Sequence, residues 1–240
     1  MRVHSAHINP RSHLGTSDVQ SSSSSFHHQT NPQNHSVKTK TMSTRPSTTK
    51  RSTTTSSSTT LPAARPPCDI HPTAIIADKA QITGTHPVTI AEHAVLHPYA
   101  RIRAEGGRVT IGPHCIIAEG AIVGLPEGQS GDVELERYVS VESGAEVEAK
   151  LIGEATEVGV QSKIGKGAVL GRFCRVTPTE SVGVGEQVGD FEVVFGDGMR
   201  RVDKTLLEGE EVQRLRVQVH TKHVEALKKL IVDGKAKWLE

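Results

Sequence analysis

The sequence predicts an all-β solenoid, specifically a left-handed parallel β-helix of hexapeptide repeats, with a C-terminal α-helix and a disordered N-terminal tail. From residue 70 onward an aliphatic residue returns every six positions, and a small residue stands four places after most of them, as Ala74 does after Ile70. This period fits neither an amphipathic helix nor the alternation of an ordinary strand. It is typical of a β-helix, in which each hexad supplies one short strand and one corner of a triangular coil. The repeat region has room for about six to seven coils.

The positions of the leading aliphatic residues also predict where loops leave the solenoid. Spacings of 8, 9, 12 and 5 residues all follow the third hexad of a coil. Since three hexads close one coil, these irregularities should share one edge. The longest insertion spans residues 124–134 and contains Pro126, and a final spacing of 8 residues predicts that Val184 begins a hexad in a partial seventh coil. The predicted leads are Ile70, Ile76, Ile82, Ile90, Leu96, Ile102, Ile111, Ile117, Val123, Leu135, Val141, Val147, Ile152, Val158, Ile164, Leu170, Val176 and Val184.

Composition divides the chain into three segments. Residues 1–67 hold eight Lys or Arg but one acid, Asp18, and they are rich in Ser, Thr and His. Such a segment buries too little apolar surface to offset its chain entropy, so we expect it to be disordered. The formal charge of +1 therefore combines +7 on this tail with −6 on the remainder. We predict a tail at 1–67, a β-helix at 68–203 and an amphipathic helix with a terminal segment at 204–240; Met42 offers an alternative start of translation.

The same composition argues against two classes of partner. An acidic body in a chain with seven aromatic residues has neither a basic face nor a stacking platform, so we expect no nucleic-acid binding. No apolar run approaches the ~20 residues that span a bilayer, so we expect a soluble protein without membrane insertion.

The positions of the three cysteines predict a structural role for them. Cys115 and Cys174 stand at the small, inward place of their hexads, and Cys68 precedes the first coil. This placement fits small core residues in a reducing compartment, and it does not offer the exposed, electropositive setting of a catalytic thiol.

Five histidines of the body bear on the two kinds of chemistry that hexapeptide repeats support. Acyltransferases use one histidine as a general base, whereas γ-type carbonic anhydrases hold zinc with three. His93 and His114 share the fourth place of successive hexads, so we expect them to stack about 5 Å apart. The sequence offers no third ligand at the expected spacing, and no histidine has an evident acidic partner, so we assign no catalytic, cofactor-binding or metal-ligating residue. A homotrimeric enzyme of either class stays open as the alternative. The histidines considered are His71, His86, His93, His97 and His114.

The C-terminal segment predicts one amphipathic helix. Acids at Glu210 and Glu211 begin it, Lys228 and Lys229 end it, and Gly234 follows as a stop. Its apolar stripe is expected to lie on a face of the β-helix, and docking on a partner is the alternative. The residues with three-and-four spacing are Val212, Leu215, Val219, His223, Ala226, Leu227, Leu230 and Ile231.

Two segments resemble a known family. Residues 97–98 are His-Pro, and residues 100–112 read Ala-Arg-Ile-Arg-Ala-Glu-Gly-Gly-Arg-Val-Thr-Ile-Gly. Residues 193–202 read Val-Val-Phe-Gly-Asp-Gly-Met-Arg-Arg-Val. These segments resemble the second coil and the exit from the β-helix in the dynactin subunit 6 family. The resemblance covers residues 69–202 and extends in outline to the terminal helix, whereas the long tail and the comparatively short loop after Gly124 depart from the family.

The resemblance implies a non-enzymatic structural subunit of dynactin, which couples cytoplasmic dynein to cargo in microtubule-based transport. It implies pairing with the related β-helix of dynactin subunit 5 at the pointed end of the actin-related filament. The pointed-end actin-related protein and dynactin subunit 4 are implied as neighbours, and cargo adaptor recruitment as a task. No cofactor is implied, and the expected location is the cytoplasm and cytoskeleton.

Overall fold

The computed structural model describes residues 65–239, so the predicted tail lies outside the described residues except at 65–67. The described chain forms a parallel β-solenoid followed by helices, which confirms the predicted solenoid and its helical end. Except for the last strand, which is antiparallel to the one before it, each strand pairs in parallel with the strand three elements away, as stacked coils require.

Three sheets form the sides of the solenoid, and we call them faces A, B and C in the order in which the chain meets them. Face A contains β1 (Cys68–Ile70), β4 (Val88–Ile90), β7 (Val109–Ile111), β10 (Val133–Leu135), β13 (Leu151–Ile152), β16 (Val169–Leu170) and β19 (Gln187–Val188). Face B contains β2 (Ile75–Ile76), β5 (Val95–Leu96), β8 (Ile116–Ile117), β11 (Ser140–Val141), β14 (Glu157–Val158), β17 (Arg175–Val176), β20 (Glu192–Phe195) and the antiparallel β21 (Met199–Val202). Face C contains β3 (Gln81–Gly84), β6 (Arg101–Ala104), β9 (Ile122–Leu125), β12 (Glu146–Val147), β15 (Lys163–Ile164) and β18 (Ser181–Val182).

The core consists of the leading aliphatic residues stacked in ladders. Every predicted lead from Ile70 to Val176 is buried, with at most 7% of its surface exposed. Cys115 and Cys174 are fully buried among them, which confirms their inward positions. Burial raises the pKa of the Cys115 thiol to about 12, so this group stays protonated and unreactive at neutral pH.

The prediction that Val184 leads a hexad is wrong. Val184 is 79% exposed in a turn, and Val182, which is 3% exposed, takes the inward place. The six-residue spacing therefore continues without a break from Val176 to Val188, which gives six complete coils and two sides of a seventh. In most hexads a small residue stands four places after the lead, but four places after Val182 the chain has Glu186. This position is exposed to solvent in the last coil, so a small residue is not needed there. The Glu186 carboxylate accepts a hydrogen bond from the Gly183 backbone N–H at 2.5 Å.

The irregular spacings emerge at a single edge, as predicted. Each falls between a face C strand and the next face A strand. The longest loop is shorter than predicted, because Gly124 and Leu125 extend β9 and pair with Arg103 and Ala104. The loop itself runs over residues 126–132.

The single predicted helix is two helices, α1 (Lys204–Glu208) and α2 (Glu210–Leu230), which Gly209 separates. The Asp203 carboxylate caps α1 by accepting from the Thr205 and Leu206 backbone N–H groups. A 3-10 helix, Lys235–Trp238, follows α2. Among the described helices, none combines the length and apolar character that crossing a bilayer needs.

α2 lies along face B, and the predicted buried side is right for Leu227 and Ile231 but wrong for most of the stripe. Leu215 and Val219 of the predicted stripe are 58% and 59% exposed. Along the solenoid the outward side chains of face B change from apolar to polar. They are Ile75, Val95, Ile116, Ser140 and Glu157 in order. The side of α2 that packs on them therefore contains both apolar and polar residues. The α2 residues that meet the solenoid are Arg216, Val217, His220, Val224, Leu227, Lys228 and Ile231.

The end of the chain covers the first coil. Gly234 donates from its backbone N–H to the Ile76 carbonyl at 2.7 Å, and Asp233 forms an antiparallel bridge with Ala77. The Lys235 ammonium donates to the Ala74 carbonyl at 2.9 Å, and Trp238 packs on the core. This segment therefore pairs groups of an edge that would otherwise template further strand pairing.

Candidate functional site

A continuous ladder of side chains marks the corner between faces A and B. Each member follows a face A lead by three places and stands in the turn before face B. From His93 onward each member has a positive φ between 54° and 62°, a left-handed conformation that the corner imposes. The ladder consists of Thr73, His93, His114, Tyr138, Ala155, Phe173 and Phe191.

The predicted histidine stack is confirmed. The ring centroids of His93 and His114 lie 4.8 Å apart, and Tyr138 extends the stack at 5.1 Å from His114. Phe173 and Phe191 form a second, parallel stack at 5.6 Å. Ala155 separates the two stacks, and Val217 of α2 packs against the cluster that Ala155 forms with the two phenylalanines.

α2 adds two groups to the histidine stack that the sequence reading missed. The His220 Nε2 lies 2.6 Å from the His114 carbonyl oxygen and donates to it. The Lys228 Nζ lies 2.8 Å from the His93 Nδ1, which accepts the hydrogen bond. One feature of the sequence could have indicated these contacts: His220 and Lys228 are eight residues apart, which places both on one side of a helix. The sequence alone did not show which side of α2 meets the ladder.

The remaining histidines are dispersed. The His71 Nδ1 lies 2.9 Å from the Thr73 hydroxyl, and His86 contacts the Ala104 carbonyl at the edge between faces C and A. His97 lies beside α2, and its Nε2 is buried without a hydrogen-bond partner. The structure therefore joins His93 and His114 to each other and to His220, but it does not bring the five candidate histidines together.

Burial lowers the pKa values of three imidazoles that lie beside α2, those of His97, His114 and His220. The pKa of His97 is lowered by burial and then by the nearby His223. The pKa of His114 is lowered by burial and then by His93, and burial also lowers the pKa of His220. Protonation of these rings is therefore opposed as long as α2 covers them.

This arrangement is suited to holding a helix rather than to holding a metal ion. Within residues 65–239, no three His, Cys, Asp or Glu side chains converge in a group that could hold a metal. The ammonium of Lys228 stands beside His93 and would repel a cation at that ring. The Nε2 of a second ring, that of His220, is engaged in a hydrogen bond to a backbone carbonyl.

We expect the stability of the fold to fall as the pH drops below about 6.5, because the folded-state pKa values of His97, His114 and His220 are lowered. In this range the unfolded chain binds more protons than the folded chain, so acid favours unfolding. Glu142 acts in the opposite direction at lower pH, because burial raises the pKa of its carboxyl group.

Thermal unfolding from about pH 7.5 to about pH 5.5 tests this expectation. The melting temperature of the wild type should fall by several degrees, and His114→Gln should reduce that fall. His71→Gln removes an exposed imidazole outside the interface and should leave the wild-type dependence unchanged. If the melting temperatures of the wild type and of both variants fell equally with pH, the imidazoles beside α2 would not be the cause of the loss of stability.

Comparisons with known proteins agree with this geometry. No family model matches the chain. It is 29% identical over 143 residues to dynactin subunit 6 of Xenopus tropicalis, which spans 55% of this chain and 70% of that protein. It is 28% identical over 137 residues to dynactin subunit 6 of Nematostella vectensis, which spans 53% of this chain and 73% of that protein. A hexapeptide transferase family protein from Anaplasma phagocytophilum has the same fold, with a TM-score of 0.58 and 20% identity over 69% of this chain and 93% of that one.

The fold and the site define a hexapeptide-repeat β-solenoid whose stacked corner is covered by its own C-terminal helix. Over about half of its length the chain is similar to dynactin subunit 6 of three animals, which confirms the resemblance seen in the sequence.

Proposed function

We propose that this chain is a non-enzymatic structural subunit of dynactin. The observation that carries the proposal is the similarity to dynactin subunit 6 from three animals, each spanning at least 70% of the relative. The likeness to the transferase supports only the fold, because the two sequences are 20% identical.

The site is consistent with a scaffold. A general base needs a ring nitrogen that can reach a substrate, whereas His220 and His93 direct ring nitrogens at the His114 carbonyl and at Lys228. These bonds hold α2 on the solenoid. Rigid surfaces suit a subunit whose task is to hold other proteins in register.

The proposed partners are those that the resemblance to the dynactin subunit 6 family implies. The chain would pair with the related β-helix of dynactin subunit 5 at the pointed end, beside the pointed-end actin-related protein and dynactin subunit 4. It would act in the cytoplasm and cytoskeleton, supporting dynein-based transport and the recruitment of cargo adaptors. Faces A and C, which α2 leaves uncovered, offer broad surfaces for such contacts.

Co-expression with dynactin subunit 5 tests the proposal. We expect a complex that contains the two chains in equal amounts, and no monodisperse homotrimer when the chain is expressed alone. A homotrimer that ignores dynactin subunit 5 would favour an acyltransferase or a γ-type carbonic anhydrase instead. One zinc per chain, lost when His93→Ala and His114→Ala are combined, would favour the anhydrase.

A further inference from the structure

Polar contacts hold much of α2 on the solenoid. Val224 is the one buried residue among the 21 of this helix, and it packs on outward side chains of face B. On either side of it, His220 donates to the His114 carbonyl and Lys228 donates to the His93 ring. Because little apolar area of α2 is fully buried, these hydrogen bonds contribute much of its attachment.

Two imidazoles beside α2 have a ring nitrogen that is buried and unpaired. Within residues 65–239, the His97 Nε2 and the His114 Nδ1 are buried without a hydrogen-bond partner. A neutral imidazole tolerates this arrangement, because one of its two nitrogens carries no proton. A protonated imidazole donates from both nitrogens, so each ring would then hold a charged N–H group without an acceptor. Movement of α2 away from the ring would expose that group to water and remove the cost of burying it.

The basic groups that face these rings add to the cost of protonation. The Lys228 Nζ donates to the His93 Nδ1 at 2.8 Å, so a protonated His93 would lose this bond and face a like charge. The rings of His93 and His114 lie 4.8 Å apart, so charging both would bring two more like charges together. The other basic neighbours are His223 beside His97, and His223 and Arg216 beside His220.

The carboxylates that face the same imidazoles offset little of this charge. Those nearest His97 and His114 are exposed, so water and salt screen their attraction. Glu142 is half-buried, and burial raises the pKa of its carboxyl group. Glu157 already pairs with two arginines. The other titratable group that stacks on His114 is the phenol of Tyr138. The exposed carboxylates are Glu92, Glu119 and Glu225.

The described core of the coils contains no group that titrates between about pH 5.5 and about pH 7.5. It consists of apolar side chains together with Cys115 and Cys174, and burial raises the thiol pKa values of both cysteines. In the closed state, burial lowers the pKa values of His97, His114 and His220. Below about pH 6.5 the open state therefore binds more protons than the closed state, so acid favours opening. The same change in pH does not weaken the stacking of the coils.

We propose that α2 is a lid that acid releases: protonation of the imidazoles beside it opens α2 from face B while the coils stay folded. Opening would uncover Val95 and Ile116, whose outward side chains are 0% and 4% exposed under the closed helix. The ends of α2 would remain attached, because Leu206 packs on the phenylalanine stack and Gly234 donates to the Ile76 carbonyl. The apolar surface that the protein offers to other molecules would therefore change with pH. The inference goes beyond the proposed function and does not depend on it.

Hydrogen exchange of the full chain, measured by mass spectrometry and corrected for the intrinsic effect of pH on exchange, tests the proposal. Between about pH 7.5 and about pH 5.5 the amides of α2 should lose protection by at least about tenfold. This is the effect of one imidazole that is protonated only in the open state. The amides of β7, β8, β11 and β14 should keep their protection. Equal losses in α2 and in these strands, or unchanged protection of α2, would overturn the proposal.

Replacement of the two buried imidazoles tests which groups release the lid. His97→Gln combined with His114→Gln should make the acid-induced loss of α2 protection several-fold smaller, because glutamine does not gain a proton in this range. The loss is a ratio within one protein, so a change in stability that the substitutions cause at both pH values cancels. His71→Gln replaces an exposed imidazole outside the interface and should leave the wild-type ratio unchanged. A double variant whose α2 loses as much protection as that of the wild type would overturn the proposal.

Discussion

Replacing Ile117 with Asp should unfold the solenoid. Ile117 is fully buried in the middle of the core ladder, between Leu96 and Val141 on neighbouring strands of face B. A carboxylate there has no described partner, so burial of its charge or of its protonated form should cost about 4 kcal/mol or more. Loss of the folded-state circular dichroism signal, or a large drop in the urea midpoint, is the expected result.

Glu119→Lys is the matched control for this substitution. Glu119 lies two residues after Ile117 and is exposed at the same corner of the coil. A reversal of its charge should change the free energy of unfolding by no more than about 0.5 kcal/mol. If Glu119→Lys unfolded the protein and Ile117→Asp did not, the inward register would be wrong.

The second large effect is expected at Gly84, where two neighbouring coils approach closely. Gly84 has a φ of 110°, and a Cβ atom there would lie 2.2 Å from the Ala104 carbonyl carbon on the strand above. Backbone in a stacked coil cannot move aside without breaking its ladder, so Gly84→Ala should cost several kcal/mol.

Gly128 provides the control, because an alanine there would have the strain of a positive φ without a steric clash with a neighbouring coil. Gly128 has a φ of 83° in the longest loop, and a Cβ atom there meets nothing within 4 Å. Gly128→Ala should therefore cost only about 1 kcal/mol, the conformational penalty alone. Chemical denaturation of both variants measures the difference, and equal costs would show that the close approach at Gly84 is not rigid.

The repeat was readable from the sequence because its signal is local. A lead such as Ile117 must fill the prism, and Cys115 two places before it must fit where the chain bends inward. Both requirements recur in every coil, so a single pattern predicted faces A, B and C and the edge at which loops emerge.

The pattern failed where the physical requirement ends. At the last coils the corner faces solvent, so Glu180 and Glu186 replace small residues and accept backbone hydrogen bonds there. The small residue that normally marks the fifth place of a hexad is therefore absent from the sequence here. For this reason the exposed Val184 was predicted as the lead instead of the buried Val182.

The orientation of α2 was not predictable from its own sequence. The most apolar side of an isolated helix is the natural choice for burial, and it contains Leu215 and Val219. The buried side was decided instead by its neighbours: Glu157 pairs with Arg216 at 3.7 Å, and the His114 carbonyl accepts from His220. These contacts join residues about 60 to 106 positions apart, so no local pattern reveals them.

The composition of the complex that contains this chain tests the central claim most directly. The full chain should be captured by affinity from cells that express it and separated by size under native conditions. The account predicts that it migrates in a large assembly with an actin-related protein and with dynactin subunits 4 and 5. Recovery of the chain as a free homotrimer without these proteins would contradict the assignment to dynactin.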